Sequence, residues 1–227
     1  MTLEPFSDAR IIDSWRKNAA PWTTAVREHQ IESRRLVTDR AVVDAALSRS
    51  PVTALDIGCG EGWLVRALAE HGVRTIGVDV VPELIDQATR QSAGEFRVAS
   101  YEDIVAGAFD LVVDLVVANF SLIGYESVNN LVAFTPRLLS PGGTLIVQTL
   151  HPVVATGALP YRDGWRGGSW VGFDAAFSDP PPWYFRTIES WVRLVGASGL
   201  RLLEVREPLH PISGVPASII FIATAPG

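Results

Sequence analysis

The chain has one cysteine, one methionine and four histidines in 227 residues. A lone Cys59 excludes an internal disulfide and any zinc site built from several cysteines, and it fits a reducing compartment. Charged residues make up only 19% and the formal net charge is −6, which argues against a protein that grips nucleic acid through bulk electrostatics. The start, Met1 to Asp8, lacks a basic region followed by an apolar run, so no secretory signal is read there. The most apolar window, Leu111 to Phe120, is too short for a membrane span and carries Asp114. Repeats and low-complexity tracts are also missing. These absences together lead to the expectation of a cytoplasmic protein with neither a membrane nor a nucleic-acid partner. They leave its oligomeric state open.

What is present is apolar: 48% hydrophobic residues, enough for the core of one sizeable α/β domain. Strand-like runs at Thr53–Ile57, Thr75–Val78, Phe96–Val98, Leu111–Ala118 and Thr144–Thr149 alternate with helical stretches at Trp63–His71, Pro82–Gln91, Glu102–Val105 and Ser127–Leu139. Strict alternation predicts βαβ units and a doubly wound parallel sheet. Ahead of it, residues 9–31 read as helical pieces broken at Pro21, with Trp15 and Trp22 as apolar anchors, and residues 33–48 as a better helix. After residue 150 comes an irregular stretch, 151–186, rich in Pro, Gly and aromatics, of the kind that serves as a lid. Within it Gly164–Trp170 has the composition of a hairpin. A helix over Thr187–Ala197 and strands at Leu200–Val205 and Ser218–Ala225 follow, the two strands close enough in sequence to be antiparallel. The chain thus divides into an N-terminal helical lid (1–33), a cofactor-binding core (34–150), a lid insertion (151–186) and a C-terminal helix with a strand pair (187–227).

The chemistry starts at Leu55-Asp56-Ile57-Gly58-Cys59-Gly60-Glu61-Gly62, a buried strand stopping at a glycine-rich turn before a helix. A dinucleotide fingerprint wants its third glycine three residues after the second. That place holds Trp63, and the glycine falls at Gly62 instead. Asp56 at the strand end suits a ligand with a cationic amine better than a pyrophosphate. Asp79 ends the next strand, about 20 residues on, where an acid can accept from both ribose hydroxyls.

With Gly77-Val78-Asp79 and Leu138-Leu139-Ser140-Pro141-Gly142-Gly143-Thr144-Leu145, this order of motifs resembles the class I S-adenosylmethionine-dependent methyltransferases over roughly residues 35–150. The resemblance implies a Rossmann-like seven-stranded sheet whose last strand alone is antiparallel, inserted between strands five and six. It implies S-adenosyl-L-methionine as cofactor, S-adenosyl-L-homocysteine as product, and methyl transfer to O, N or C of a small-molecule acceptor, for which the aromatic-rich composition of 151–186 points to an apolar or aromatic compound. Residue by residue, it implies that Asp56, Gly58, Gly60 and Gly62 meet the methionine part and Asp79 with Val80 the ribose. Ser100, Tyr101 and Glu102 would lie near adenine, and Asn119 and Phe120 near the sulfonium. On the acceptor side Ser121, Tyr161, Arg162, Trp165, Trp183, Tyr184 and His210 are substrate-binding candidates. His151, just past strand five, is the candidate general base. No metal site is expected. Two competing readings are a nicotinamide-dependent oxidoreductase on the same sheet and a non-catalytic S-adenosylmethionine-binding protein.

Overall fold

The computed structural model describes residues 4–91 and 94–227. Seven strands form the main sheet: β1 (Thr53–Ile57), β2 (Arg74–Asp79), β3 (Glu95–Val98), β4 (Val113–Asn119), β5 (Leu139–Thr149), β8 (Arg201–Arg206) and β9 (Ile219–Thr224). Their spatial order is β3-β2-β1-β4-β5-β9-β8, with β1 to β5 parallel and β9 antiparallel to both its neighbours. The expected topology is therefore the observed one. The order reverses between β1 and β4, so the crevice outside their carboxyl ends is the place where open α/β sheets bind ligands.

Side chains alternate across the sheet. On β4, Val116 and Ala118 join Leu55, Ile57, Leu145 and Phe221 in one core, while Leu115 and Val117 join Ala54, Ile146 and Ile222 in the other. The first core is covered by α6 (Glu126–Phe134) and α8 (Ile188–Ala197), the second by α2 (Asp39–Leu47) and α3 (Trp63–Glu70). Two covered faces explain why the central strands carry near-continuous apolar runs. The remaining helices are α4 (Pro82–Arg90) after β2, α5 (Tyr101–Val105) after β3, and α7 (Pro152–Ala155) after β5.

Two local expectations are corrected. The N-terminal segment is one unbroken helix, α1 (Asp8–Arg27), with Pro21 inside it. An interior proline costs about 3 kcal/mol, and tertiary contacts on both sides of it offset that. Ala19, with Trp15 and Trp22, packs on Val81 and Leu84, and Arg27 is paired to Glu61. The hairpin expected within Gly164–Trp170 does not form. Gly164–Arg166 (β6) instead pairs antiparallel with Trp183–Phe185 (β7). Trp170 packs on Trp15 and Phe177 rather than turning back as a strand. Among the described residues no helix is long and apolar enough to cross a membrane, and no three His, Cys, Asp or Glu side chains cluster as metal ligands.

Candidate active site

Gly58, Gly60 and Gly62 all adopt positive φ (75°, 58° and 84°), so the turn needs glycine for its backbone alone. Packing adds a second demand at two of them. A Cβ on Gly58 would lie 2.3 Å from the Ser121 Cβ, and one on Gly62 would lie 2.7 Å from the Phe96 ring. At Gly60 the nearest atom would be the Trp22 indole nitrogen at 3.5 Å, so this glycine faces helix α1.

Asp79 ties the tip of β2 to that turn. One carboxylate oxygen accepts from the Gly60 N–H and the other from Val81 N–H, each at 2.9 Å. Every carboxylate oxygen has a second lone pair, so both remain able to accept from a ligand hydroxyl. Val80 packs with Trp15 and Trp22 under α1.

Asp56 is 1% exposed, and its Oδ1 has no hydrogen-bond partner among the described residues. Burial, and secondarily the neighbouring Asp79 charge, push its carboxyl up to about 8. A second orphan has the opposite sign. Arg34 opens a single π-helical turn, Arg34–Thr38, a distortion often found at functional sites. Its Nε donates to Asp39 at 2.9 Å, and its guanidinium lies 4.7 Å from the Trp63 ring and 5.7 Å from Trp22. One of its terminal nitrogens is buried with no partner among the described residues. A buried polar atom without a partner is costly. An unpartnered carboxyl oxygen and an unpartnered guanidinium nitrogen flanking one turn match the ammonium and carboxylate of an α-amino acid, and on that ground the site fits the methionine end of S-adenosylmethionine.

The turn is braced from below by Glu61, fully buried, which accepts from Arg27 at 2.9 Å and from Arg66 at 2.7 Å. At the tip of β4, Phe120 holds φ 53°, an outlier for a bulky residue of the sort found at ligand sites. Asn119 is oriented by Gln148, whose amide donates to its Oδ1 at 2.7 Å. Gln148 in turn accepts from Ser218 and donates to the Thr38 carbonyl.

Other expected residues are committed to the protein itself. The Ser100 hydroxyl closes a capping box with Asp103. Tyr101 donates to the Ser121 carbonyl at 3.0 Å, and the Ser121 hydroxyl donates to the Ile57 carbonyl at 2.6 Å. Burial pushes the Tyr101 phenol up, beyond the range in which it could lose its proton. Glu102 lies with Tyr101 on a side cavity next to α6. Buried Cys59 has its thiol pushed up by desolvation, which makes it a packing residue and not a nucleophile.

On the acceptor side the structure brings His151 and Trp183 together on one cavity of ≈ 310 Å³, at the carboxyl end of β5. Trp165 and Tyr184 lie on the β6–β7 pair, Trp165 near Phe6 and Tyr184 stacked on Tyr125. Tyr161 is exposed and accepts from the Ile188 N–H, and Arg162 is exposed. His210 accepts from Ile212 and Ser213 within its own loop. None of these last three reaches the cavity wall. Sequence reasoning missed Glu61 and the inward side of α1. No local spacing marks them, because each meets the site only through the fold.

Comparison with known proteins agrees with this geometry. Residues 55–147 match the model of a family described as a methyltransferase domain. The chain is 32% identical over 125 residues to a ubiquinone biosynthesis O-methyltransferase of Xanthomonas oryzae pv. oryzae, covering 52% of this chain and 51% of that one. It thus spans about half the length of the curated relatives it matches. Among solved structures it is similar to an S-adenosylmethionine-dependent methyltransferase from Mesorhizobium loti (TM-score 0.62, 20% identity, covering 81% of this chain and 96% of that one). It is also similar to the N-methyltransferase NodS from Bradyrhizobium japonicum WM9, solved with S-adenosyl-L-homocysteine (TM-score 0.57, 17% identity, covering 83% and 87%). Taken together, the domain match over residues 55–147, the strand order and the acids at the tips of β1 and β2 make the chain similar to the class I S-adenosylmethionine-dependent methyltransferases.

Proposed function

We propose that this protein transfers a methyl group from S-adenosylmethionine to a small-molecule acceptor. The observation that carries the reading is the pair of buried, unpartnered polar atoms on Asp56 and Arg34 beside a turn whose glycines carry no Cβ. Asp56 would hold the amino group and Arg34 the carboxylate, with Asp79 on the ribose hydroxyls. When bound, the cofactor supplies an electrophilic methyl group on a sulfonium. The protein's task is then alignment and exclusion of water, which can supply much of the rate. Helix α1 and the 151–186 insertion cover the carboxyl edge for that purpose. The relatives' name, ubiquinone biosynthesis O-methyltransferase, supports an oxygen acceptor.

The test is calorimetry with S-adenosylmethionine and S-adenosylhomocysteine. Binding in the micromolar range, about −8 kcal/mol, is expected. No heat with either ligand would overturn the reading. Mass spectrometry of a metabolite panel incubated with the cofactor then separates an enzyme from a protein that only binds it.

A further inference from the structure

We infer that Glu207 and His151 form a proton-accepting pair at the acceptor cavity, and that the acceptor is a small aromatic compound presenting an acidic hydroxyl, a phenol or catechol. This rests on the methyltransferase reading. His151 is 5% exposed, two residues past β5, and its Nε2 lies 2.7 Å from a carboxylate oxygen of Glu207. Glu207 follows β8 and is 54% exposed at its side chain. A carboxylate can only accept, so it fixes the imidazole proton on Nε2 and leaves the Nδ1 lone pair available as a base. That Nδ1 is buried with no partner among the described residues. The family resemblance does not assign Glu207 a role.

The surroundings name the ligand. His151 shares the cavity wall with Leu150, Val154, Ala155 and Trp183. The space, ≈ 310 Å³, is at the small end of ligand pockets, which run about 300–1,000 Å³, and suits a single substituted ring. Apart from His151 and Ser169 the wall side chains are apolar, with Trp183 available for an aromatic contact. Among the wall residues there is no charged side chain to pair with a cationic amine. The tip of β5 adjoins that of β4 through the Asn119–Gln148 register pair, one strand spacing (about 5 Å) away. The cavity therefore opens past the end of the strand next to the one whose tip the resemblance puts at the sulfonium.

In the step, the acceptor oxygen forms its bond to the methyl carbon as the methyl–sulfur bond breaks. That bond's electron pair stays on sulfur as a neutral thioether, and the hydroxyl proton passes to His151 Nδ1. Glu207 stabilises the imidazolium through Nε2–H, and the Nδ1 proton is lost to solvent once the methylated product leaves the cavity, which restores the neutral ring with its proton on Nε2. His151 is thus the catalytic residue and Glu207 a positioning residue.

The probe is 4-nitrocatechol, whose phenolate absorbs at longer wavelength than its phenol. It is titrated into the full chain with S-adenosylhomocysteine present, so that no turnover occurs, at a pH below the probe's own pKa. Bound probe is expected to show the phenolate band. Glu207→Gln keeps a hydrogen bond but loses the charge. It is expected to lower the bound phenolate-to-phenol ratio about tenfold, one pKa unit, with probe affinity within about threefold, and Glu207→Asp restores the band. Trp183→Ala weakens probe binding about tenfold and leaves S-adenosylhomocysteine affinity unchanged. An identical band in wild type and Glu207→Gln overturns the pair. Failure of the probe to bind while S-adenosylhomocysteine binds overturns the acceptor class and leaves the methyltransferase reading intact. Failure of both to bind removes that reading and this inference with it.

Discussion

At the scale of single residues, Asp56 makes the site sensitive to pH. Its folded carboxyl sits at about 8 against an ordinary 3.8, so the folded state holds a proton that the unfolded chain has released. The unfolded state binds fewer protons over that window, and stability contributed by Asp56 therefore falls as pH rises from about 4 to about 8, at up to about 1.4 kcal/mol per pH unit. Urea denaturation across that range is expected to show a steeper loss in wild type than in Asp56→Asn. An ammonium ligand favours the ionised form, so cofactor binding near pH 7 is expected to release a proton. Calorimetry in buffers of different ionisation enthalpy reads that proton directly. Asp56→Asn should bind with no such release, and about ten- to a hundredfold more weakly, the worth of a charge-assisted hydrogen bond at about 1.5–3 kcal/mol. Arg34→Ala should cost a similar factor with S-adenosylmethionine. It should cost little with an analogue lacking the carboxylate, a contrast that a merely structural arginine would not produce.

At the scale of elements, Glu61 couples α1 to the glycine turn. A fully buried carboxylate held by Arg27 and Arg66 contributes through its partners, and removing one side of a buried pair costs about 3–5 kcal/mol. The two arginines keep partial access to water, so Glu61→Ala should fall at the low end of that range, read as a drop in the denaturation midpoint. Because the turn is also tied to Asp79 through Gly60, the same variant should weaken the cofactor. Helix α1 itself shows how elements resist local rules. Pro21 argues for a break, and the packing of Trp15, Ala19 and Trp22 on α4 keeps the helix whole.

At the scale of the molecule, two covers meet over the carboxyl edge of the sheet. Asn18 of α1 donates to the Ser178 carbonyl at 2.7 Å and accepts from the Ser178 N–H at 3.0 Å. Asp179 receives both Arg10 and Lys17. Ser14 donates to the Asp179 carbonyl, and Trp15 meets Trp170 edge-on. These contacts latch the insertion to the N-terminal helix, so a ligand held beneath both covers is expected to exchange faster when the latch is weakened. Asn18→Ala removes two of the hydrogen bonds, about 1–3 kcal/mol. Limited proteolysis of the 167–182 segment should be several-fold faster in that variant, and cofactor exchange faster with it. An unchanged cleavage rate would mean that the latch does not hold the cover.

The sheet, its strand order and the acids at the tips of β1 and β2 were legible in the sequence because they are written in short-range signals. Period, glycine spacing and the acid at each strand tip lie within a few residues of one another. Strand β1 falls at Thr53–Ile57 as expected, and the C-terminal pair is antiparallel as its short loop required. What the sequence could not reveal rests on contacts between distant segments. The guanidinium of Arg34, with one unpartnered nitrogen, acquires meaning only between Trp22 and Trp63. The partner of β6 comes from Trp183–Phe185, and the partner of His151 from beyond β8. By itself, then, the sequence determined the fold and the place of the glycine turn and its strand-tip acids, since local geometry and hydrophobic period are set by neighbours along the chain. The latch between the two covers and the cavity beside His151 were decided only by the tertiary structure, because burial and charge pairing depend on which distant side chains close over one another.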